Sequence, residues 1–133
     1  MRVVLDTNVL VSGLIAPQGT CGHILRMVFA GHIRPCVDER MMQECRAVLA
    51  RPKFGFRAEE AEELLILLRL EGVRVTPPAL PVRLPDRSDE PFLEVAAAES
   101  AVLVTGNVRH YPPHLRCGVK VMTPAEFAAS YSG

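Results

Sequence analysis

The short apolar run Val3-Val4-Leu5 gives way to a polar step at Asp6-Thr7-Asn8, after which Val9-Leu10-Val11 resumes the apolar character. Consecutive β-branched and aliphatic residues with no polar alternation predict a strand from residue 2 that is covered on both faces, as in a parallel sheet. Residues 9–15 then predict a short helix, broken by Pro17-Gln18-Gly19. Thr20 is placed to cap a second helix over residues 21–30, with Gly31 as its stop. Residues 33–37 predict a strand, in which Pro35 favours an edge or a strand end. Asp38 can cap a helix running to about Ala50, closed by Arg51-Pro52. The strongest helical pattern covers residues 58–71, with four glutamates first, five aliphatic residues next and Gly72 as the stop. A brief strand at 73–75, a helix at 89–100, strands at 102–104 and 119–122, and a helix at 124–129 complete the chain. Strands alternating with helices predict an α/β protein, a three-layer α/β/α sandwich with helices on both faces of a mostly parallel sheet. No internal repeat is present, and residues 77–85 form the linker-like segment. The whole range 1–133 is expected to be one domain, which suits its length.

Composition narrows the classes of function. Lysine and arginine number 15, as do aspartate and glutamate, which argues against binding nucleic acid through bulk positive charge but leaves room for a local basic rim. No apolar stretch approaches the roughly 18 to 20 residues of a membrane span, and the N-terminus does not resemble a signal peptide, so a cytoplasmic protein is expected. Cys21, Cys36, Cys45 and Cys117 form no CxxC pair, so the thiols are expected to be free and mostly buried, and a zinc site is set aside.

The acids carry the chemistry. Asp6 closes the first strand, at the carboxyl edge where open α/β sheets bind their ligands, and it is either a ligand or nucleophile there or the N-cap of the next helix. At 100° per residue, Met41, Cys45, Val48 and Leu49 form one buried stripe of their helix, with Glu44 at its edge. Asp89 falls in line with Phe92, Leu93 and Ala96, the side facing the sheet, although a first-turn acid beside the potential cap Ser88 also complements a helix dipole. Asp86 enters from the same end, and Thr105-Gly106-Asn107 ends the fourth strand as Asp6 ends the first. If those strands are neighbours, the two polar steps flank a topological switch point. By contrast, Glu59, Glu60, Glu62 and Glu63 are read as acids complementing a helix N-terminus. Two like charges about 4 Å apart repel by roughly 4 kcal/mol at an effective dielectric near 20. Carboxylates converging in one cleft therefore need protons or a hard cation such as Mg²⁺ or Mn²⁺. No GxGxxG or Walker A sequence follows the first strand, and metal-assisted hydrolysis of a phosphate ester is the chemistry that suits such a cluster.

These residues together resemble PIN domains. The resemblance runs from the opening Arg-Val-Val-Leu-Asp-Thr-Asn-Val-Leu-Val-Ser through Met41-Met42-Gln43-Glu44-Cys45 and Arg-Pro-Lys-Phe at 51–54. It continues through Asp86-Arg87-Ser88-Asp89-Glu90-Pro91-Phe92-Leu93, Val104-Thr105-Gly106-Asn107 and Met122-Thr123-Pro124-Ala125-Glu126-Phe127. It is similar above all to the toxin components of toxin–antitoxin pairs related to VapC. The resemblance implies a Mg²⁺- or Mn²⁺-dependent endoribonuclease acting on single-stranded RNA and leaving 5′-phosphate and 3′-hydroxyl ends. It also implies a cognate antitoxin and a homodimer, the latter aided by the multi-faced apolar helix at 61–70.

Residue by residue, Asp6, Glu44 and Asp89 match the catalytic, metal-holding acids, and Asp86 matches an extra acid of this branch. Asn107 falls where many members carry a fourth aspartate, and offers a carbonyl oxygen but no charge. Thr7, Asn8 and Thr105 are candidates for orienting the acids. Arg109, His110, Arg51 and Lys53 are candidates for phosphate contacts, or else solvated surface charge. Two alternatives are carried: a catalytically inactive PIN module that binds RNA or a protein partner, and a haloacid-dehalogenase-type phosphatase, which would need an aspartate where the chain has Asn8.

Overall fold

The computed structural model describes residues 1–131, so the last two residues of the range expected as one domain lie outside it. Among the described residues the strands are β1 (Arg2–Leu5), β2 (Arg34–Val37), β3 (Val73–Arg74), β4 (Val102–Val104) and β5 (Val121–Met122). The helices are α1 (Thr7–Ile15), α2 (Thr20–Phe29), α3 (Glu39–Leu49), α4 (Ala58–Glu71), α5 (Glu90–Glu99) and α6 (Pro124–Tyr131). The strands form one sheet in the order β3-β2-β1-β4-β5, and every pairing is parallel. The expected mostly parallel sheet is thus parallel throughout. β1 and β4 are neighbours in register, Val3 opposite Val102 and Leu5 opposite Val104. The chain leaves β1 towards β2 on one side and returns as β4 on the other, which makes the carboxyl ends of β1 and β4 the switch point of the sheet.

Strand side chains alternate between two apolar layers. Val3, Leu5, Val102 and Val104 pack with α1, α2, α4, α6 and part of α3. Val4 and Leu103 pack with α5, Leu84 and Tyr111. Both faces of β1 are therefore covered, with Val3 and Val4 fully buried, which is why its sequence shows no alternation.

Local chemistry explains where several elements depart from the sequence expectation. α1 begins at Thr7 and not at residue 9, because the Asp6 carboxylate accepts the Thr7 N–H at 2.8 Å and caps the helix directly. α2 is capped by Gly19, and Thr20 is its first residue. Pro35 lies in an interior strand, near its start: β3 pairs from Cys36 onward, before which no ladder bond from Pro35 is needed. Asp38 caps α3 as expected, accepting the Met41 N–H at 2.9 Å. β5 shrinks to two residues, since Cys117 and Gly118 hold positive φ in the turn before it. Of the thiols, Cys36 and Cys45 are buried, Cys21 is half-buried and Cys117 is exposed; all four are free.

Candidate active site

Two polar steps meet at the switch point. Asp6 follows β1, and the segment after β4 turns past it through Thr105, Gly106 and Asn107. Asp6 is only 5% exposed, and three donors fix its carboxylate. Oδ1 accepts the Thr7 N–H, while Oδ2 accepts the Thr105 hydroxyl at 2.8 Å and the Tyr111 hydroxyl at 3.1 Å. Capping and facing the cleft are therefore compatible for this acid.

Thr105 is itself held. Its oxygen accepts the Asn107 N–H at 3.0 Å and the Asn8 side-chain amide at 3.4 Å. With both lone pairs engaged, its proton goes to Asp6. Asn8 also accepts the Gly106 N–H at 2.8 Å, tying the start of α1 to the end of β4. Thr7 contacts the sulfur of Cys45 at 3.4 Å, whose thiol burial pushes up to about 12 and leaves inert.

A cleft of about 400 Å³ opens above this network. Asp6, Thr7, Asn8, Glu44, Arg51, Lys53, Asp86, Asp89, Asn107 and His110 all line it. Arg109 is exposed and does not line it, and Thr105 lies fully buried beneath. Glu44 reaches the cleft from the half-buried edge of α3, whose buried residues are Met41, Met42, Cys45 and Leu49. Val48, expected on that stripe, is half-buried and lines the cleft.

Asp86 and Asp89 come from a 3₁₀ turn over Arg87–Asp89 that precedes α5, so Asp89 stands just before the helix and not within it. Ser88 does not cap α5. It donates its N–H and hydroxyl to Asp86 at 2.9 and 2.7 Å, and these bonds hold the Asp86 carboxyl below its usual range. Asp89 makes no capping bond. Its Oδ2 is buried without a hydrogen-bond partner among the described residues. His110 Nδ1 stands 3.1 Å from that oxygen, near enough for an ion pair when the ring is protonated.

Electrostatics records the crowding. Burial, and then the charge of Asp6, push the Asp89 carboxyl up to about 6, with Asp86 adding to the rise and His110 opposing it. Glu44 is raised by burial and by Asp86 and Asp6, with Arg51 opposing. Asp89 and Glu44 are both raised by the neighbouring acids, and a cation in the cleft would favour their ionised forms. Oxygen donors of this kind suit Mg²⁺ or Mn²⁺. Among the described residues, no three acid, histidine or cysteine side chains are drawn tightly enough to grip an ion by themselves.

Sequence reasoning assigned no site role to Tyr111, Phe54 or Ser12, and placed Phe92 only on the sheet-facing side of its helix. Phe54, Ser12 and Phe92 line the cleft, and Tyr111 lies below it as the largest fully buried side chain. A lone tyrosine after Arg109-His110 carries no periodic or motif signal. The strand-end partnership between β1 and β4 is what brings it to Asp6.

An all-parallel α/β/α sheet with acids gathered at its switch point defines a Rossmann-like protein with a carboxylate-lined cleft. A sequence model of the PIN domain matches residues 2–109, and the chain belongs to that family. PIN domains are generally nucleases that bind RNA and usually use divalent metals. The chain is also 30% identical over 142 aligned positions to the uncharacterized protein MJ1680 of Methanocaldococcus jannaschii, covering 98% of this chain and 92% of that protein. No helix among the described residues is long and apolar enough to cross a membrane.

Proposed function

We propose that the protein is a Mg²⁺- or Mn²⁺-dependent endoribonuclease that cuts single-stranded RNA, acting as the toxin of a toxin–antitoxin pair in the cytoplasm. The observation that carries this reading is the convergence of Asp6, Glu44, Asp86 and Asp89 on one cleft, where Asp89 is buried and has His110 as its neighbour at 3.1 Å. Asp6, Asp89 and Glu44 would hold the ion, with water completing its coordination, and Asp86 and Asn107 would act through that water. When bound, the ion supplies an activated water for attack on the phosphodiester and offsets the charge that develops on phosphorus oxygens.

The chain's own residues do the rest. Thr105, Tyr111 and the Thr7 N–H hold Asp6 in one orientation. Asn8 fastens the two strand ends that carry Asp6 and Asn107. Arg51 and Lys53 line the cleft and stand exposed, where they can meet phosphates flanking the scissile bond. His110 neighbours Asp89 and is a further phosphate contact, while Arg109 would meet RNA only beyond the cleft. Products ending in 5′-phosphate and 3′-hydroxyl follow from attack by water with the 3′ oxygen leaving.

An antitoxin segment with a basic residue would cover the acids. Homodimerisation finds support in α4, where Leu64, Leu65 and Leu68 are buried but Ile66, Leu67 and Leu70 remain exposed. A second reading, a PIN module that binds RNA or a protein without cutting it, is favoured by Asn107, which adds no charge to the cleft. Cleavage of defined single-stranded RNAs separates the two. Wild type should cut with Mn²⁺ and stop with chelator, and Asp6→Asn and Asp89→Asn should lose at least a hundredfold in rate. Equal cleavage by wild type and both variants in every condition would point to a contaminating nuclease and end the assignment.

A further inference from the structure

We propose that Tyr111 is a positioning residue for Asp6, and that with Thr105 it makes Asp6 a ligand through a single oxygen, Oδ1. This rests on the metal-dependent reading above and deepens it. An ionised carboxylate has about four lone-pair sites, two on each oxygen. On Oδ2 both are taken, by the hydroxyls of Thr105 and Tyr111. On Oδ1 the Thr7 N–H takes one and leaves one. A cation approaching Asp6 therefore meets one available direction.

The phenol is suited to this work. Tyr111 is fully buried in the layer beneath the sheet with Val4, Phe92 and Leu103, so its ring has no freedom to swing away. Its own carbonyl accepts the Arg116 Nε–H at 2.7 Å, which fixes the backbone that carries it. Its hydroxyl is a neutral donor: it orients the carboxylate without cancelling the charge that a cation needs, as a lysine or arginine there would. The preceding residue, His110, stands at Asp89. One 3₁₀ turn, Val108–His110, thus delivers adjacent residues to two different acids. Tyr111 also lies beyond the 2–109 segment that matches the family, so the PIN match itself does not account for it.

Groups that orient a metal ligand typically change metal affinity by about 10–100-fold when removed. The test is calorimetric titration of Mn²⁺ into wild type, Tyr111→Phe and Asp6→Asn, with melting in chelator as the measure of folding. The expected result is binding weakened roughly tenfold or more by Tyr111→Phe, at a melting temperature within a few degrees of wild type, and binding lost by Asp6→Asn. Unchanged affinity in Tyr111→Phe, with binding lost in Asp6→Asn, would overturn the role of Tyr111 and leave the metal site standing. Wild-type affinity in Asp6→Asn, or no binding by wild type, would overturn both. The chain has two tyrosines, so 3-fluorotyrosine labelling gives a second measurement that needs no core variant. On adding diamagnetic Mg²⁺ the Tyr111 fluorine signal, assigned with Tyr131→Phe, should shift and saturate. A Tyr111 signal unmoved at saturating Mg²⁺ would also overturn the proposal.

Discussion

At the scale of single residues, the acids were legible because each sits where backbone geometry gives it a direction. Asp6 ends a strand, Glu44 edges an apolar stripe and Asp89 precedes a helix whose apolar side faces the sheet. Of the donors to Asp6, Thr7 and Thr105 were legible at the polar strand ends, whereas Tyr111 was not. Tyr111 reaches Asp6 across 105 residues, and no local pattern signals such a contact. The raised Asp89 carboxyl gives a prediction with a definite sign. In metal-free protein it is held at about 6, whereas in the unfolded chain it returns to its ordinary value near 3.8. Between those values the folded state keeps a proton that the unfolded state has released, so stability from this group is full below about pH 3.8 and is lost as pH rises through 6. Asp89→Asn should therefore melt higher than wild type in chelator above pH 6, by at most about 3 kcal/mol, with the gap closing towards pH 4. Thermal melts of both proteins across that range check this, and an equal melting temperature at every pH would contradict it. Mn²⁺ should stabilise wild type and leave Asp89→Asn nearly unmoved.

At the scale of elements, helices and strands followed from apolar periodicity, while their ends followed from side chains that cap. α1 starts two residues earlier than its apolar run because Asp6 takes the capping role open to it, which draws Thr7 and Asn8 into the helix. The Arg87–Asp89 turn escaped for the opposite reason: Ser88 resembled a helix cap but serves Asp86. Close packing between elements also had no sequence signature. At Gly22 in α2 an added Cβ would lie 2.0 Å from the Pro17 carbonyl oxygen, so the turn between α1 and α2 leaves no room for a side chain. Gly22→Ala should cost about 1–3 kcal/mol, read as a lower midpoint in urea unfolding. An unchanged midpoint would mean that the turn relaxes freely.

At the scale of the whole molecule, the alternation of strands and helices sufficed for the α/β/α class, and the β1–β4 adjacency turned scattered acids into one cleft. The net charge of zero hides an uneven surface, in which four acids share the cleft with Arg51, Lys53 and His110. Leu70 of α4 is 74% exposed, an apolar surface that the proposed dimer would cover. If α4 forms the proposed dimer face, Ile66→Glu combined with Leu70→Glu should convert a dimer to a monomer in sedimentation, without altering the melting profile of the dilute protein. A wild type that sediments as a monomer at high concentration would remove that face from the account. Anomalous scattering from crystals grown with Mn²⁺ reads the occupancy of the cleft itself. A manganese peak is expected between the carboxylates of Asp6 and Asp89, absent in Asp6→Asn. Manganese bound only elsewhere, in crystals of protein that still cleaves RNA, would contradict it.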